Sequence, residues 1–475
     1  MVKDLDPFFN PRSVAVVGAS ERSGSIGRAL MTNLLERFRG RIYPVNIKYD
    51  KVFNLKCFKS VLEIPDDVDL AVIAVPADVV PKVAEECGKK GVKALLVISA
   101  GFREVGDVGA ERERRLVEIV RRYGMRMIGP NCLGIYDPYS GLDTIFNPSD
   151  RQGKPGPGSV AFISQSGALG AALLDWFTEQ GIGLSKFVSY GNAADVDESD
   201  LIEYLVEDPR TRVIAAYIEG VRNGRKFLRA VARAVVSGKP VVILKAGRTE
   251  RGVRAVASHT GSLAGAYEVF RGALRQCGAI VVNDLHELLI AIRALSVGWR
   301  APGRRVAIVT NGGGAGVLAT DAIESLGLSV AELSPSTIEE LRKALPPAAS
   351  PYNPVDVLGD APAERYEKAL EIVGRDPRVD MVMVIALLQS PALDADRLVE
   401  VLSSASKKLG KPMVFVAPGG GYASSYLAKV QSIGIPSFRD PVEAAKALSY
   451  IYCFSESIER VRKFLKAFSS LEPPS

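Results

Sequence analysis

Three segments of this 475-residue chain open in the same way, and that shared opening constrains the fold more than any other feature. They read "VAVVGASERSGSIGRAL" from Val14, "VAFISQSGALGAALLDW" from Val160 and "VAIVTNGGGAGVLATDA" from Val306. Each begins with an unbroken apolar run, the pattern of a strand covered on both faces in a parallel sheet. Each then passes through a Gly/Ser-rich turn into helix-forming sequence. More apolar runs follow: "LAVIAVP" and "ALLVISAGF" in the first segment, "VIAAYIEG" and "PVVILKAG" in the second, "MVMVIALL" and "PMVFVAPGG" in the third. Helical patterns such as "DVVPKVAEECGKKG" lie between them. Strands alternating with helices imply right-handed βαβ units and parallel sheets. The linker-like stretches "RQGKPGPGS" and "GWRAPGRR" separate the segments. The expected fold class is therefore α/β, with three consecutive doubly wound parallel-sheet domains over residues 1–148, 156–299 and 303–475. A length-based prior of about three domains agrees.

Composition narrows the function classes. Sixty Lys+Arg against 54 Asp+Glu leave a net charge of only +6, with the two signs interspersed. That pattern does not favour nucleic acid, while a polyanionic small ligand suits it. The five cysteines are scattered without a CxxC pair and read as free thiols in a reducing compartment. The opening "MVKDLDPFFNPRSVAVVG" lacks a signal peptide's apolar core, and no apolar run is long enough to cross a membrane. A cytoplasmic protein without membrane partners is the expectation.

The glycine turns point to anions. Ligands of open α/β sheets sit at the carboxyl ends of strands, against helix N-termini whose N–H groups and dipole favour phosphate. The first turn offers Gly18, Ser20, Ser25 and Gly27. It is not GxGxxG, and the acidic residue a nicotinamide cofactor wants after the second strand is replaced by Asn46 and Lys48 in "IYPVNIK". Lysine there suits a ligand carrying an extra phosphate. The second turn offers Ser164, Ser166 and Gly167, and the third offers Asn311 to Gly316, with Gly312, Gly313 and Gly314 at its centre. Short βα turns often carry glycine for packing alone, so these signals are individually weak.

The chain holds two histidines, and one of them, His259, sits in the small, flexible stretch "ASHTGSLAG". Metal binding would need ligand partners; His286 lies in the helical pattern "DLHELLIAIRAL", and no Cys/His cluster with ligand spacing exists. No G-x-S-x-G elbow supports a Ser–His–Asp hydrolase. An imidazole can accept a phosphoryl group directly if a carboxylate holds the right tautomer, and Glu219 in "YIEG" is the best-placed carboxylate.

At these residues a family resemblance emerges. "KAGRTERGVRAVASHTGSLAG" (245–265) resembles the phosphohistidine loop of the ADP-forming acyl-CoA synthetases, and the chain looks like an alpha subunit of the acetate–CoA ligase type, related to succinyl-CoA synthetase. "VAVVGASERSGSIG", "PVNIK", "VISAGF" and "GPNCLG" resemble a Rossmann-like CoA-binding domain. "FISQSGA" and "YIEG", together with the histidine loop, resemble a flavodoxin-like phosphohistidine domain. "VTNGGGAGVLATDA" and "NPVDVLGDA" resemble a second flavodoxin-like domain. One departure is Ile47, where many relatives carry proline after "PVN".

The resemblance implies interconversion of acyl-CoA, ADP and phosphate with a carboxylic acid, CoA and ATP, through acyl phosphate and phosphohistidine. It implies that His259 carries the phosphoryl group and Glu219 orients it. Ser164, Ser166, Gly167 and Gly312, Gly313, Gly314 would face that group from two sides. Gly18, Ser20, Ser25, Gly27 and Lys48 would hold CoA, with Ser99 and Asn131 nearby. No nucleotide-binding ATP-grasp portion is recognisable, so an ATP-grasp beta subunit binding ADP/ATP and Mg2+ is expected, in an α2β2 assembly. Two other readings stand beside this one: a non-catalytic CoA sensor or regulatory scaffold, and a nicotinamide dehydrogenase, which the missing acidic residue disfavours.

Overall fold

The structure is a computed structural model that describes residues 2–260 and 267–469. It divides into two compact units, Met1–Asn283 and Asp284–Ser475. Among the described residues, no helix is long and apolar enough to cross a membrane.

The first unit holds two large sheets. One runs in the order Arg41–Val45, Ser13–Val17, Leu70–Ile73, Ala94–Val97, Arg126–Ile128. All its pairings are parallel, with Val14 opposite both Ile42 and Leu70. Ser13–Val17 is buried at every position, as its unbroken apolar pattern requires once helices cover both faces. Chain order reverses between Ser13–Val17 and Leu70–Ile73, which opens a crevice at their carboxyl ends.

The second sheet runs Ile280–Val282, Val241–Lys245, Val213–Ile218, Pro157–Ser164, Leu184–Ser189, and then two further strands, Gly134–Asp137 and Leu142–Asp143. Its first five strands are parallel, with the reversal between Pro157–Ser164 and Val213–Ile218. The last two pair antiparallel, a mixed edge that the apolar pattern did not announce. Charge fixes that edge. Lys186 on Leu184–Ser189 lies 3.3 Å from Asp137 and 3.1 Å from Asp208, with Lys186 and Asp137 buried and Asp208 half-buried. A buried ammonium tolerates few positions, so the cluster specifies the pairing register.

The second unit carries a sheet ordered Ser329–Val330, Arg305–Thr310, Met381–Ile385, Met413–Val416, Ser437–Phe438, with Val355–Asp356 also pairing Arg305–Thr310. Every pairing is parallel and the reversal again follows the first strand. The α/β class with three sheet-centred modules is thus as expected. The units divide between Asn283 and Asp284, upstream of "GWRAPGRR". Helix Leu285–Ser296 packs on the long helix Pro441–Ser469 of the second unit.

Candidate active site

At the reversal point of the second sheet three strand ends converge. Strand Pro157–Ser164 is followed by Gln165, strand Val213–Ile218 is followed by Glu219, and strand Val241–Lys245 ends on Lys245. The Gln165 side chain reaches across the crevice. Its Oε1 accepts from the Glu219 and Gly220 main-chain N–H groups, the latter at 3.0 Å, and its Nε2 donates to the Gly220 carbonyl at 2.9 Å. From the other side, Lys245 Nζ donates to the Glu219 carbonyl at 2.8 Å and also to the Ala246 carbonyl. The main chain at Glu219 is thereby held from both neighbouring strands.

Electrostatics at this edge are strong because little water reaches it. Glu219 and Lys245 are each 4% exposed. Burial pushes the Lys245 ammonium pKa down to about 8, against the opposing pull of the Glu219 carboxylate. Burial also raises the Tyr217 phenol, as do the charge of Glu219 and a hydrogen bond to it. A carboxylate held in this way can accept a hydrogen bond from a neighbouring imidazole and fix its tautomer.

Helix Gly167–Glu179 starts beside these strand ends, and Ser166 is its N-cap, accepting from Leu169 N at 3.3 Å. Ser164 Oγ is buried and donates to the Ser166 carbonyl at 2.7 Å. The Ser164 hydroxyl therefore shapes the turn from inside. Gly167 approaches Leu133, whose Cβ would lie 3.2 Å from an added methyl. His259 lies in the last turn of helix Glu250–Thr260. Its side chain, and residues 261–266, lie outside the described residues, and so does the expected Glu219–His259 pairing. The helix itself packs against the turn Arg103–Val105.

The first sheet gathers its expected residues along its carboxyl edge. Gly18 and Gly27 are packing glycines. A Cβ on Gly27 would stand 2.0 Å from the Gly18 carbonyl oxygen, and one on Gly18, whose φ is +102°, would stand 2.4 Å from the Ala74 oxygen. Ser25 caps helix Ile26–Arg37, accepting from Arg28 N, and Ser20 Oγ accepts from Arg22 N at 3.0 Å. Lys48 is exposed beside Ile47, which is 77% exposed. Ser99 and Asn131 meet directly, with Asn131 N donating to the Ser99 carbonyl at 2.9 Å. Asn131 Nδ2 continues to Asn192 Oδ1 at 3.4 Å, and Asn192 Nδ2 donates to Glu104 at 2.7 Å and Glu113 at 2.9 Å.

In the second unit the same device recurs. Asn311 follows strand Arg305–Thr310 and exchanges hydrogen bonds with Leu387 across the reversal, 2.8 Å from Leu387 N to Oδ1 and 3.3 Å from Nδ2 to Leu387 O. Helix Gly313–Ser325 follows, with Gly312 as N-cap and no side-chain cap. A Cβ on Gly314 would meet nothing within 4 Å, so packing does not demand glycine there. A Cβ on Gly312 would instead stand 2.6 Å from Leu387 Cδ1 and one on Gly313 3.4 Å from Asp356 Oδ2, so it is at Gly314 that this uncapped helix start is open to an anion. His286 sits in the first turn of Leu285–Ser296, with Nε2 2.8 Å from Glu443 Oε1.

The structure thus gathers Ser164, Ser166, Gly167 and Glu219 at one crevice, and Gly18, Ser20, Ser25, Gly27, Ser99 and Asn131 along the edge of the neighbouring sheet. Asn311 belongs to the third glycine turn read from the sequence; Gln165 and Lys245 are additional residues that the structure brings to the site. A signal existed for Gln165: it and Asn311 occupy equivalent positions, the first residue after the strand in "FISQSG" and "IVTNGG".

Comparison with known proteins assigns each module to a domain of the CoA ligases. Residues 12–138 match the CoA binding domain, 157–295 the succinyl-CoA ligase like flavodoxin domain, and 306–452 the ligase-CoA domain. The ADP-forming acetate–CoA ligase I subunit alpha of Pyrococcus furiosus is 45% identical over 462 residues, 95% of this chain and 98% of that one. The ADP-forming acetate–CoA ligase I of Archaeoglobus fulgidus is 44% identical over 97% of this chain, which spans only 65% of that longer protein. Among solved structures, the dinucleotide-forming acetyl-coenzyme A synthetase 1 of Candidatus Korarchaeum cryptofilum, in complex with phosphate and ADP, covers 100% of both chains at 38% identity and a TM-score of 0.90. The chain belongs to the ADP-forming acetate–CoA ligase family.

Proposed function

We propose that this chain is the alpha subunit of an ADP-forming acyl-CoA synthetase acting on acetyl-CoA. Phosphate attacks the thioester carbonyl; the C–S bond breaks and CoA leaves as the thiol, giving acetyl phosphate. An imidazole nitrogen of His259 then attacks phosphorus. The N–P bond forms, the P–O bond to the acyl oxygen breaks, and acetate departs. Glu219 accepts the hydrogen bond of the second imidazole N–H and stabilises the positive charge that develops there. Phosphohistidine finally passes the phosphoryl group to ADP. Each transfer rests on positioning and charge stabilisation, which preformed anion cradles and an oriented nucleophile supply.

The observation that carries this reading is the buried Glu219, clamped at a sheet reversal beside the start of helix Gly167–Glu179. We assign Ser164, Ser166 and Gly167 to one phosphate cradle and Gly312, Gly313 and Gly314 to a second. CoA is assigned to the edge holding Gly18, Ser20, Ser25, Gly27, Lys48, Ser99 and Asn131. ADP/ATP and Mg2+ are assigned to an ATP-grasp beta subunit in a cytoplasmic α2β2 enzyme. In support, the relatives that this chain spans nearly whole are named alpha subunits, and the Archaeoglobus chain extends well beyond the matched region. A CoA sensor needs only the first sheet and gives the Glu219 clamp no task.

The test is ATP formation from acetyl-CoA, ADP and phosphate by this chain with its beta subunit. The complex should form ATP and the His259→Ala complex should not. Activity retained by His259→Ala would rule out the covalent route.

A further inference from the structure

Lys245 has no part in the scheme above, yet its placement is unusual. Its side chain is buried, and its ammonium is spent on two main-chain carbonyls, Glu219 O at 2.8 Å and Ala246 O, both at the carboxyl end of the sheet. Phe270 covers it from helix Tyr267–Gln276, with the ring centroid 5.6 Å from Nζ. A lysine kept for stability would gain from its partners more than it loses on burial. Here the balance runs the other way: desolvation outweighs the attraction of Glu219 and brings the pKa down to about 8, yet the ammonium form still predominates at neutral pH. Two carbonyl acceptors could be served by a neutral donor at less cost, so retention of a positive charge calls for an anion.

We infer that Lys245 is a positioning residue of the phosphoryl-transfer site, its ammonium holding the Glu219 strand end and offsetting the negative charge that Glu219 and an arriving phosphoryl group place together. The inference rests on the proposed phosphohistidine function. A phosphoryl group brings close to two negative charges to an edge that already holds a buried carboxylate. Helix dipoles supply partial positive charge there, and the Lys245 ammonium supplies a full one.

The full-length chain is incubated with acetyl phosphate, and phosphorylation at His259 is followed by intact mass, alongside thermal unfolding of each variant. Wild type should gain one phosphoryl group and His259→Asn none. Lys245→Gln keeps a donor for the Glu219 carbonyl without the charge; it should phosphorylate at least tenfold more slowly while its melting temperature stays level or rises. Lys245→Arg keeps the charge and should recover more of the rate than Lys245→Gln. A Lys245→Gln rate within twofold of wild type would overturn the inference alone. So would a slower rate that tracks a lower melting temperature, or equal rates for Gln and Arg. A wild-type chain that takes up no phosphoryl group would overturn the underlying function as well.

Discussion

Gln165 and Gly220 exchange a pair of hydrogen bonds, 2.9 Å from Nε2 to the Gly220 carbonyl and 3.0 Å from Gly220 N to Oε1, so one side chain completes the ladder where the second sheet opens its crevice. The main-chain N–H of Glu219 uses the same oxygen. Gln165→Leu keeps similar bulk but leaves three buried main-chain groups unserved. It should lower the stability of the first unit by roughly 2–4 kcal/mol. Hydrogen exchange should quicken at the amides of Glu219 and Gly220, and phosphorylation of His259 should slow.

The Asn311–Leu387 exchange is the second unit's counterpart, and Asn311 is buried. Asn311→Leu should raise exchange at the Leu387 amide and loosen the approach to Gly312, Gly313 and Gly314. ATP formation by the complex should fall, while CoA binding to the first sheet should match wild type in a calorimetric titration.

Gly27 separates packing from ligand contact. With a Cβ 2.0 Å from the Gly18 oxygen and 3.2 Å from Ser20 N, Gly27→Ala forces two backbone segments apart. The expected cost is about 3 kcal/mol, read as a lower melting temperature, together with lost CoA affinity. Gly314→Ala meets no protein atom, so it should leave the melting temperature unchanged.

Glu198 gives a pH signature. It is 2% exposed, Oε1 has no hydrogen-bond partner among the described residues, and burial raises its pKa to about 8. An acid with a folded pKa above its unfolded value binds more protons when folded, so stability is full below the ordinary glutamate range and is lost as pH rises towards about 8. Glu198→Gln should remove that decline: its melting temperature should match wild type near pH 5 and exceed it at pH 8.5.

Much of this architecture was legible because its signals are local. An unbroken apolar run such as Val14 to Val17, followed by a glycine turn, needs no partner to be read as a buried parallel strand. What escaped is decided by distant partners. Gly134–Asp137 carries no mark of its antiparallel pairing, which depends on Lys186 reaching Asp137 across the sheet. Leu285–Ser296 follows the second sheet directly in sequence, yet its apolar face is buried against Pro441–Ser469. At the site, glycines and a rare histidine stand out by type. Gln165 and Lys245 are ordinary polar residues whose meaning lies in which strand ends beside them.

The most direct measurement is the site of phosphorylation itself. The chain is incubated with acetyl phosphate, digested at neutral pH, and its peptides are mapped by mass spectrometry with and without acid treatment. A single acid-labile phosphoryl group on His259, absent from Glu219→Ala, is the predicted result. An acid-stable adduct, or one on any other residue, would contradict the account.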